Sequence, residues 1–159
     1  MDAQRLSPAN PGPIHVHFVL LEGSLILDWA GPAEALRMAN QRLRDAGQPC
    51  AFQLHFIGPA PTAISSVGAA ISAIAPLPAA LPAHSWLVLV GEPGATIAID
   101  SAESQTLLHW LRGLRLQTAQ LELITVCAGA VIAGHAGLLH GHKATTHHHH
   151  LDELRRVAR

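Results

Sequence analysis

Short apolar runs and longer amphipathic segments alternate along the chain. In residues 14–21, IHVHFVLL, apolar residues alternate with His15 and His17 before the run becomes wholly apolar, which is typical of a strand entering a buried sheet. We therefore expect both histidines on a sheet face rather than in a ligand set. Residues 52–58, FQLHFIG, alternate in the same way, and residues 86–91, WLVLVG, form the continuous apolar run expected of a central parallel strand.

Helical spacing separates these runs. Residues 25–47, LILDWAGPAEALRMANQRLRDAG, repeat apolar positions every three or four residues, and Pro32 suits the first helical position. Residues 100–117, DSAESQTLLHWLRGLRLQ, open on Asp100 and Glu103 at capping-box spacing. Strands that alternate with helices predict a parallel α/β sheet with right-handed crossovers.

The pattern divides the chain into a tail and one domain. Residues 1–13 are polar, contain three prolines and show no period, which predicts a flexible tail. Residues 14–159 then form the domain, because a chain of 159 residues with 49% hydrophobic content is long enough to bury one core.

Charge and cysteine content narrow the class of protein. Ten Lys and Arg residues offset eleven Asp and Glu residues, so the chain has no basic excess with which to bind nucleic acid. No apolar stretch reaches the ~18 residues of a membrane span, and the first residues do not resemble a secretory leader. The two cysteines lie far apart in dissimilar contexts. We therefore expect a cytoplasmic protein with free thiols and no membrane association.

Cys127 stands where the apolar run LELITV, residues 121–126, meets the small or apolar residues 128–136, which predicts a sharp strand-to-helix turn. In an open α/β sheet, ligands bind beyond the carboxyl ends of the strands, where helix N-termini favour the anionic form of a thiol. The hydrolase elbow G-x-S-x-G is matched in part, with Thr125 at its first position and Gly129 at its last. Because free cysteine is also among the most buried residue types, a packing role stays open.

Asp28 is the predicted partner of Cys127, because it follows the first strand at the same edge of the sheet. Two anions held together would repel each other, so one of the two groups would carry a proton. The alternative is that Asp28 is a turn or helix-capping residue before the segment AGP.

Three segments carry a family resemblance. Residues 20–40, LLEGSLILDWAGPAEALRMAN, place Asp and then Gly-Pro after the first strand. Residues 124–154, ITVCAGAVIAGHAGLLHGHKATTHHHHLDEL, are similar to a segment that elsewhere reads Val-Cys-Thr-Gly, Ala-Gly-Leu-Leu, Gly and Ala-Thr-Thr-His. Residues 86–95, WLVLVGEPGA, stand where a strand precedes Gly-Gly-x-Gly. From about Ile14 onward, the chain resembles the PfpI/ThiJ superfamily, which is similar to class I glutamine amidotransferases.

The resemblance implies a fold and an incomplete domain. The fold would be a flavodoxin-like sandwich of a parallel sheet with helices on both faces. The family's domain continues with further elements after LDELRRVAR, so residues 14–159 are expected to be C-terminally truncated. A missing sheet edge exposes apolar surface, which favours a homodimer.

The resemblance also implies two kinds of function. One kind is the N-terminal domain of AraC-type transcriptional regulators, which carry a helix-turn-helix DNA-binding domain behind it. The other is a stand-alone enzyme resembling isonitrile hydratase, in which the residues matching Cys127 and Asp28 are catalytic.

A ligand site around the thiol follows from the same motifs, with five expected ligand-binding residues: Gly91, Glu92, Ala128, Gly129 and His147. Ala128 replaces the usual Thr and lacks its hydroxyl, and Glu92 replaces a glycine and adds a carboxylate. Both changes weaken the case for catalysis. Residue 128 is also not the His of the protease-like members, so an immediate Cys-His dyad is excluded.

Histidine is abundant, with twelve residues in the chain and an unbroken run from His147 to His150. In a helix, His147 and His150 are spaced to chelate a metal, but no acid or cysteine is spaced to complete a tetrahedral site. We therefore expect adventitious binding to nickel resin, no functional metal and no cofactor.

Three functional hypotheses follow. In the first, the chain is the ligand-sensing and dimerisation domain of an AraC-family regulator, which binds a small-molecule effector and reaches DNA only through a helix-turn-helix part missing here. In the second, it is a hydratase or hydrolase in which the Cys127 thiolate attacks an electrophilic carbon while Asp28 moves protons. In the third, it is a structural or redox-sensitive domain whose thiol oxidises to the sulfinic acid. The first ranks highest, and a reading frame that continues past Arg159 into helix-turn-helix units would favour it.

Overall fold

The computed structural model describes residues 12–94, 97–114 and 121–158. The predicted tail, residues 1–13, lies outside the described residues except for its last two positions, as does the predicted helix from residue 115 to 117. The described elements are, in chain order, β1 (Ile14–Val19), α1 (Ile26–Asp45), β2 (Phe52–Gly58), β3 (Ala63–Ile64), β4 (Ala70–Ile71), β5 (Ala75–Pro76), β6 (Ser85–Leu89), α2 (Ala102–Gly113), β7 (Leu121–Thr125), α3 (Gly129–His135) and α4 (Leu151–Val157), with a 3-10 turn at His148–His150.

The central sheet has five strands in the order β5-β2-β1-β6-β7, and each neighbouring pair is parallel. β1 lies in the middle, where His17 pairs with His55 of β2 on one side and with Leu87 of β6 on the other. The prediction of a parallel α/β sheet is therefore confirmed.

Helices cover both faces of this sheet, as the resemblance implied. On one face, α1 packs Ala33 and Leu36 against Val16, Phe18 and other inward residues of the strands. On the other face, apolar residues of α2, α3 and α4 join the opposite side chains of β1, β2 and β6 in a second, larger core. Strands covered on both faces need apolar residues at nearly every position, which explains the continuous run in β6.

The order of the strands creates a crevice at one edge of the sheet. From β1 the chain crosses through α1 to β2 on one side, and later returns to β6 on the other side of β1. The loops after β1 and β6 therefore leave in opposite directions, and ligands of open α/β sheets bind at such a switch point. A small antiparallel hairpin, β3 and β4, lies beside this edge, and its Ile64 carbonyl accepts the Gly23 amide at 2.8 Å.

Two helix starts differ from the sequence predictions. α1 begins at Ile26, so Pro32 lies inside the helix rather than at its first position, and Asp28 belongs to the first helical turn. Helix α2 is capped by Ser101, whose hydroxyl accepts the Ser104 amide at 3.0 Å, rather than by Asp100. Among the described residues, none of the helices combines the length and apolar character that crossing a bilayer requires.

Three histidines lie together on the face that carries α2, α3 and α4. Nδ1 of His15 lies 3.1 Å from Nε2 of His55, and the rings of His17 and His55 stack with their centres 4.5 Å apart. His17 is only 4% exposed, and its Nδ1 has no hydrogen-bond partner within the described part of the chain. Burial, together with the smaller effects of the neighbouring His55 and His15, lowers the pKa of His17 from 6.5 to about 4.

Protonation of His17 makes the domain sensitive to acid. The unfolded chain takes up a proton near the ordinary value of 6.5, whereas the folded chain does so only near 4, so stability falls as the pH drops through this interval. At pH 5 this group alone should cost about 2 kcal/mol relative to pH 8. We expect His17→Leu to abolish that part of the loss in urea denaturation curves. His109→Gln, at an exposed position of α2, is the control. Equal losses in His17→Leu and in the wild type would contradict the assignment.

Candidate functional site

Three loops meet at the carboxyl edge of the sheet. They follow β1, β6 and β7, and they contain Leu25, Glu92 and Cys127, respectively. Because all three strands are parallel neighbours, their C-terminal ends bring these loops together even though more than a hundred residues of chain separate the first from the last.

Cys127 occupies a sharp turn between β7 and α3. Its φ of 54° lies in the left-handed region, which a residue with a side chain adopts at a cost and which is common at functional sites. The turn is held on both sides: the Val126 amide donates to the Leu89 carbonyl and the Gly129 amide donates to the Val126 carbonyl, each at 2.9 Å. A strand-to-helix turn of this kind is how α/β folds expose a side chain at the sheet edge.

Gly129 lets this turn lie directly on β6. A Cβ atom at residue 129 would lie 2.1 Å from the carbonyl oxygen of Leu89, which is backbone and cannot rotate away. Ala128 is also fully buried in the larger core. Two of the expected ligand-binding residues, Ala128 and Gly129, therefore lie beneath the turn and support it through close packing.

Gly91 stands between Cys127 and Asp28. A Cβ atom at Gly91 would lie 3.3 Å from the Cβ of Cys127, and the Gly91 amide donates to Oδ2 of Asp28 at 3.3 Å. The Gly91 carbonyl accepts the Leu25 amide at 3.0 Å. The structure thus brings both members of the predicted pair to the same edge of the sheet, with the backbone of Gly91 between them.

A cavity of about 260 Å³ opens beside the thiol. Three predicted site residues, Cys127, Glu92 and His147, line it. Asp28 is not among its described lining residues. Sequence reasoning missed the remaining ones, which are Leu25, Pro93, Gly94, His149 and His150.

The histidine run is anchored to the thiol's own turn. Thr146 donates its hydroxyl to the carbonyl of Cys127 at 2.9 Å, and the His150 amide donates to the His147 carbonyl at 2.8 Å. The His150 ring is 3% exposed and lies 3.4 Å from Oε2 of Glu153 in α4. Thr146 belongs to the Ala-Thr-Thr-His motif, so that motif was the signal that could have identified its role.

A second, larger cavity of about 480 Å³ lies at the switch point between β1 and β6. Its lining includes Gly23, Thr62 and three carboxylates, those of Glu22, Glu92 and Glu103. Oε2 of Glu22 accepts the Ile64 amide at 2.9 Å, and Glu92 accepts the Ala98 amide through its Oε1. Glu92 therefore belongs to the walls of both cavities. Glu92 was predicted from the sequence as a site residue, but this second cavity was not predicted.

The edge offers a thiol, carboxylates and imidazoles within one group of loops. Slight desolvation of the exposed His148 ring, together with the nearby His149 and His147, lowers its pKa below the ordinary value. Among the described residues, the three-membered group of potential metal ligands is His147, His148 and His149, all exposed.

Solved structures share this fold. A THiJ/PfpI family protein from Pseudomonas syringae aligns with 91% of the chain at a TM-score of 0.62 and 22% identity, and the chain spans only 57% of that protein's length. An AraC family transcriptional regulator from Pseudomonas putida aligns at a TM-score of 0.67 and 20% identity. The alignment covers 92% of this chain and 73% of the regulator chain. The protein therefore has the flavodoxin-like fold of these structures, which is the fold that the resemblance implied.

Comparison of sequences identifies a relative from the same family. No model of a known protein family matches it. An uncharacterized protein from the cpoL 5′ region of Streptomyces lividans is 32% identical over 149 residues, which cover 91% of this chain and 95% of that protein. The chain belongs to the same family as this Streptomyces protein.

The contact beneath the turn predicts the effect of a single methyl group. We expect Gly129→Ala to destabilise the domain by about 3 kcal/mol, because the added Cβ meets the backbone of Leu89. Gly113→Ala is the matched control, since it ends α2 with no atom within 4 Å of an added Cβ. It should leave stability unchanged or raise it by less than about 1 kcal/mol. Urea denaturation measures both, and a Gly129→Ala variant as stable as the wild type would contradict the packing argument.

Proposed function

We propose that the chain is the ligand-sensing and dimerisation domain of an AraC-family transcriptional regulator, which binds a small-molecule effector beside Cys127. DNA would be bound by a helix-turn-helix part that is not in this chain. The motifs of residues 20–40 and 124–154, and the fold shared with an AraC family regulator, support this proposal. The near-neutral charge agrees with a domain that does not itself hold DNA.

The cavity beside the thiol is the observation that carries the proposal. It combines apolar lining from Leu25 and Pro93 with polar groups from Glu92 and His147, as small-molecule sites do. Asp28, the group that would move protons in an enzyme, instead accepts the Gly91 amide. This cavity therefore has groups that can bind a ligand, but Asp28 is not among the described residues that line it with Cys127.

The loss of the Thr beside the cysteine supports the same conclusion. Ala128 is fully buried and offers no hydroxyl to a substrate. The hydroxyl that does reach this turn belongs to Thr146, and it donates to the carbonyl of Cys127. That contact holds the turn and the histidine run together and leaves the thiol itself without a hydroxyl partner among the described residues.

A homodimer and a cytoplasmic location belong to this proposal. Strand β7 ends the described sheet, and a strand with one neighbour offers free backbone groups to a second chain. On α1, Leu27 is 82% exposed and Met38 is 56% exposed, and their spacing of eleven residues places them on one helical face. These apolar side chains are suited to contact with another copy. Residues 14–159 would then be one domain of the regulator.

Filling the cavity tests the proposal. Leu25→Trp places a larger side chain in the lining, and Val67→Trp is the control at a position that is 74% exposed and outside the described lining. We expect at least one compound in a panel of small amides, nitriles, aldehydes and isonitriles to raise the Tm of the wild type. At a hundred times Kd the ligand contributes about 2.7 kcal/mol, or about 5 to 10 °C in a domain of this size.

The same shift should persist in Val67→Trp and disappear in Leu25→Trp. Circular dichroism spectra that match the wild type show that both variants fold. A ligand that shifts the Tm of all three proteins equally binds elsewhere and contradicts the assignment of this cavity.

A cysteine-dependent hydratase or hydrolase is the second candidate, and one observation favours it. Cys127 lies in the strained turn typical of a nucleophile, and the amide of Ala128, the next residue, has no acceptor within the described residues. In enzymes with such a turn, the amide after the nucleophile stabilises the oxyanion. In this candidate function, the Cys127 thiolate attacks an electrophilic carbon and Asp28 transfers protons.

Isonitrile turnover separates the two candidates. As an effector domain, the wild type should hydrate an aryl isonitrile no faster than Cys127→Ala, because the acid does not line the thiol's cavity. Absorbance of the formamide product provides the measurement, and Cys50→Ala controls for the other thiol. Turnover that is lost in Cys127→Ala, reduced in Asp28→Asn and kept in Cys50→Ala would establish the enzyme instead.

A further inference from the structure

Three consecutive imidazoles converge at the mouth of the thiol's cavity. One nitrogen each of His147, His148 and His149 lies within 4.8 Å of the others, and all three side chains are exposed. The ring centres of His147 and His148 are 4.2 Å apart, and those of His148 and His149 are 4.1 Å apart. Small rotations of the side chains would bring these nitrogens to the separation of roughly 3.4 Å that a tetrahedral zinc ion requires.

The backbone holds this arrangement from both ends. Before it, Thr146 is bonded to the carbonyl of Cys127. After it, the His150 ring is buried against Glu153, and the 3-10 turn is closed by the bond from the His150 amide to the His147 carbonyl. Ligands fixed by their supporting structure lose less conformational entropy on binding than those of a flexible histidine tag.

The sequence prediction paired different residues. It placed His147 and His150 on one helical turn and found no further ligand. In the structure His150 turns toward Glu153, and His148 and His149 take its place beside His147. His147 Nδ1 also accepts a long contact of 3.4 Å from the His149 amide, which a metal at that nitrogen would replace.

The cavity connects the imidazoles to the thiol. His147 and His149 line the same 260 Å³ space as Cys127 and Glu92. Because the imidazoles are exposed and the thiol is partly buried, an ion on the imidazoles would occupy the solvent-facing side of the cavity that the thiol also lines. We propose that His147, His148 and His149 bind Zn²⁺ or a similar divalent transition-metal ion at this mouth, and that the bound ion restricts access to Cys127.

The ligand chemistry selects the ion. Neutral imidazoles suit zinc, nickel and copper, whereas calcium and magnesium prefer oxygen ligands. Three protein ligands leave a fourth tetrahedral position open, which water or an occupant of the cavity can take. Glu92 supplies a carboxylate in the same cavity that can accept a hydrogen bond from such a water. Metal binding can be measured without knowing any effector, so this proposal does not depend on the proposed function.

Zinc and cobalt titrations test the site. We expect the wild type to bind one Zn²⁺, and Co²⁺ in its place to give the visible absorption of a tetrahedral complex. The triple variant His147→Gln, His148→Gln, His149→Gln should bind Zn²⁺ at least about tenfold more weakly than the wild type. The double variant His140→Gln, His142→Gln removes two nearby exposed histidines and should bind as the wild type does. His148→Gln alone, at an exposed ring outside the cavity's described lining, provides a variant with little risk to folding.

Thiol alkylation tests the effect on access. Mass spectrometry after iodoacetamide treatment reports Cys127 and Cys50 separately. Cys50 lies beside Arg44 and precedes β2, whereas Cys127 follows β7, so the two thiols are at opposite ends of the parallel strands. Zn²⁺ should slow labelling of Cys127 by about fivefold or more in the wild type, but not in the triple variant, because reactivity follows access. Cys50 should be unaffected.

Three results would overturn the proposal. The first is unchanged metal affinity in the triple variant, which would place the ion elsewhere. The second is protection of Cys127 that persists in the triple variant, which would mean that the metal binds the sulfur directly. The third is binding through the histidine run with no change in Cys127 labelling, which would make it adventitious binding like that of a purification tag.

Discussion

The carboxyl edge of the sheet depends on how closely the turn at Cys127 approaches β6. Gly129 lies against the carbonyl of Leu89, and Gly91 lies against Cys127 and Ala128, with no room for a side chain at either glycine. This contact fixes the left-handed conformation of Cys127 and joins the loops after β1, β6 and β7 into one surface. This surface positions the other groups of the site, which are Asp28, Glu92 and the histidine run.

The pattern of apolar and polar residues was sufficient to predict those elements in which buried positions recur with a regular period. The boundaries predicted for β2 match the structure, because FQLHFIG alternates and is bounded by turn residues. Pro32 was misleading, because it lies one turn further into α1 than its usual place in the first helical turn, and it leaves the Asp28 carbonyl without the amide hydrogen bond of residue 32. The cap of α2 moved by one residue to Ser101, a shift that side-chain geometry decides and that spacing alone does not reveal.

The sequence predicted those parts of the site that a motif within a single loop identifies. Cys127, Glu92 and His147 were identified from motifs, and all three line one cavity. Leu25, His149 and the cavity at the switch point were not identified, because their placement depends on which loops the strand order brings together. Asp28 lies at the expected edge, but only coordinates show that its carboxylate is bonded to the amide of Gly91.

Glu92 is a wall shared by two cavities, and this position has a thermodynamic consequence. A molecule in one cavity that displaced the Glu92 carboxylate would change the lining of the other cavity. Linkage requires the influence to be reciprocal: whatever factor the first occupant imposes on the affinity of the second, the second imposes on the first. A ligand in either cavity that moved the Glu92 carboxylate would therefore change the affinity of the other cavity for its own ligand.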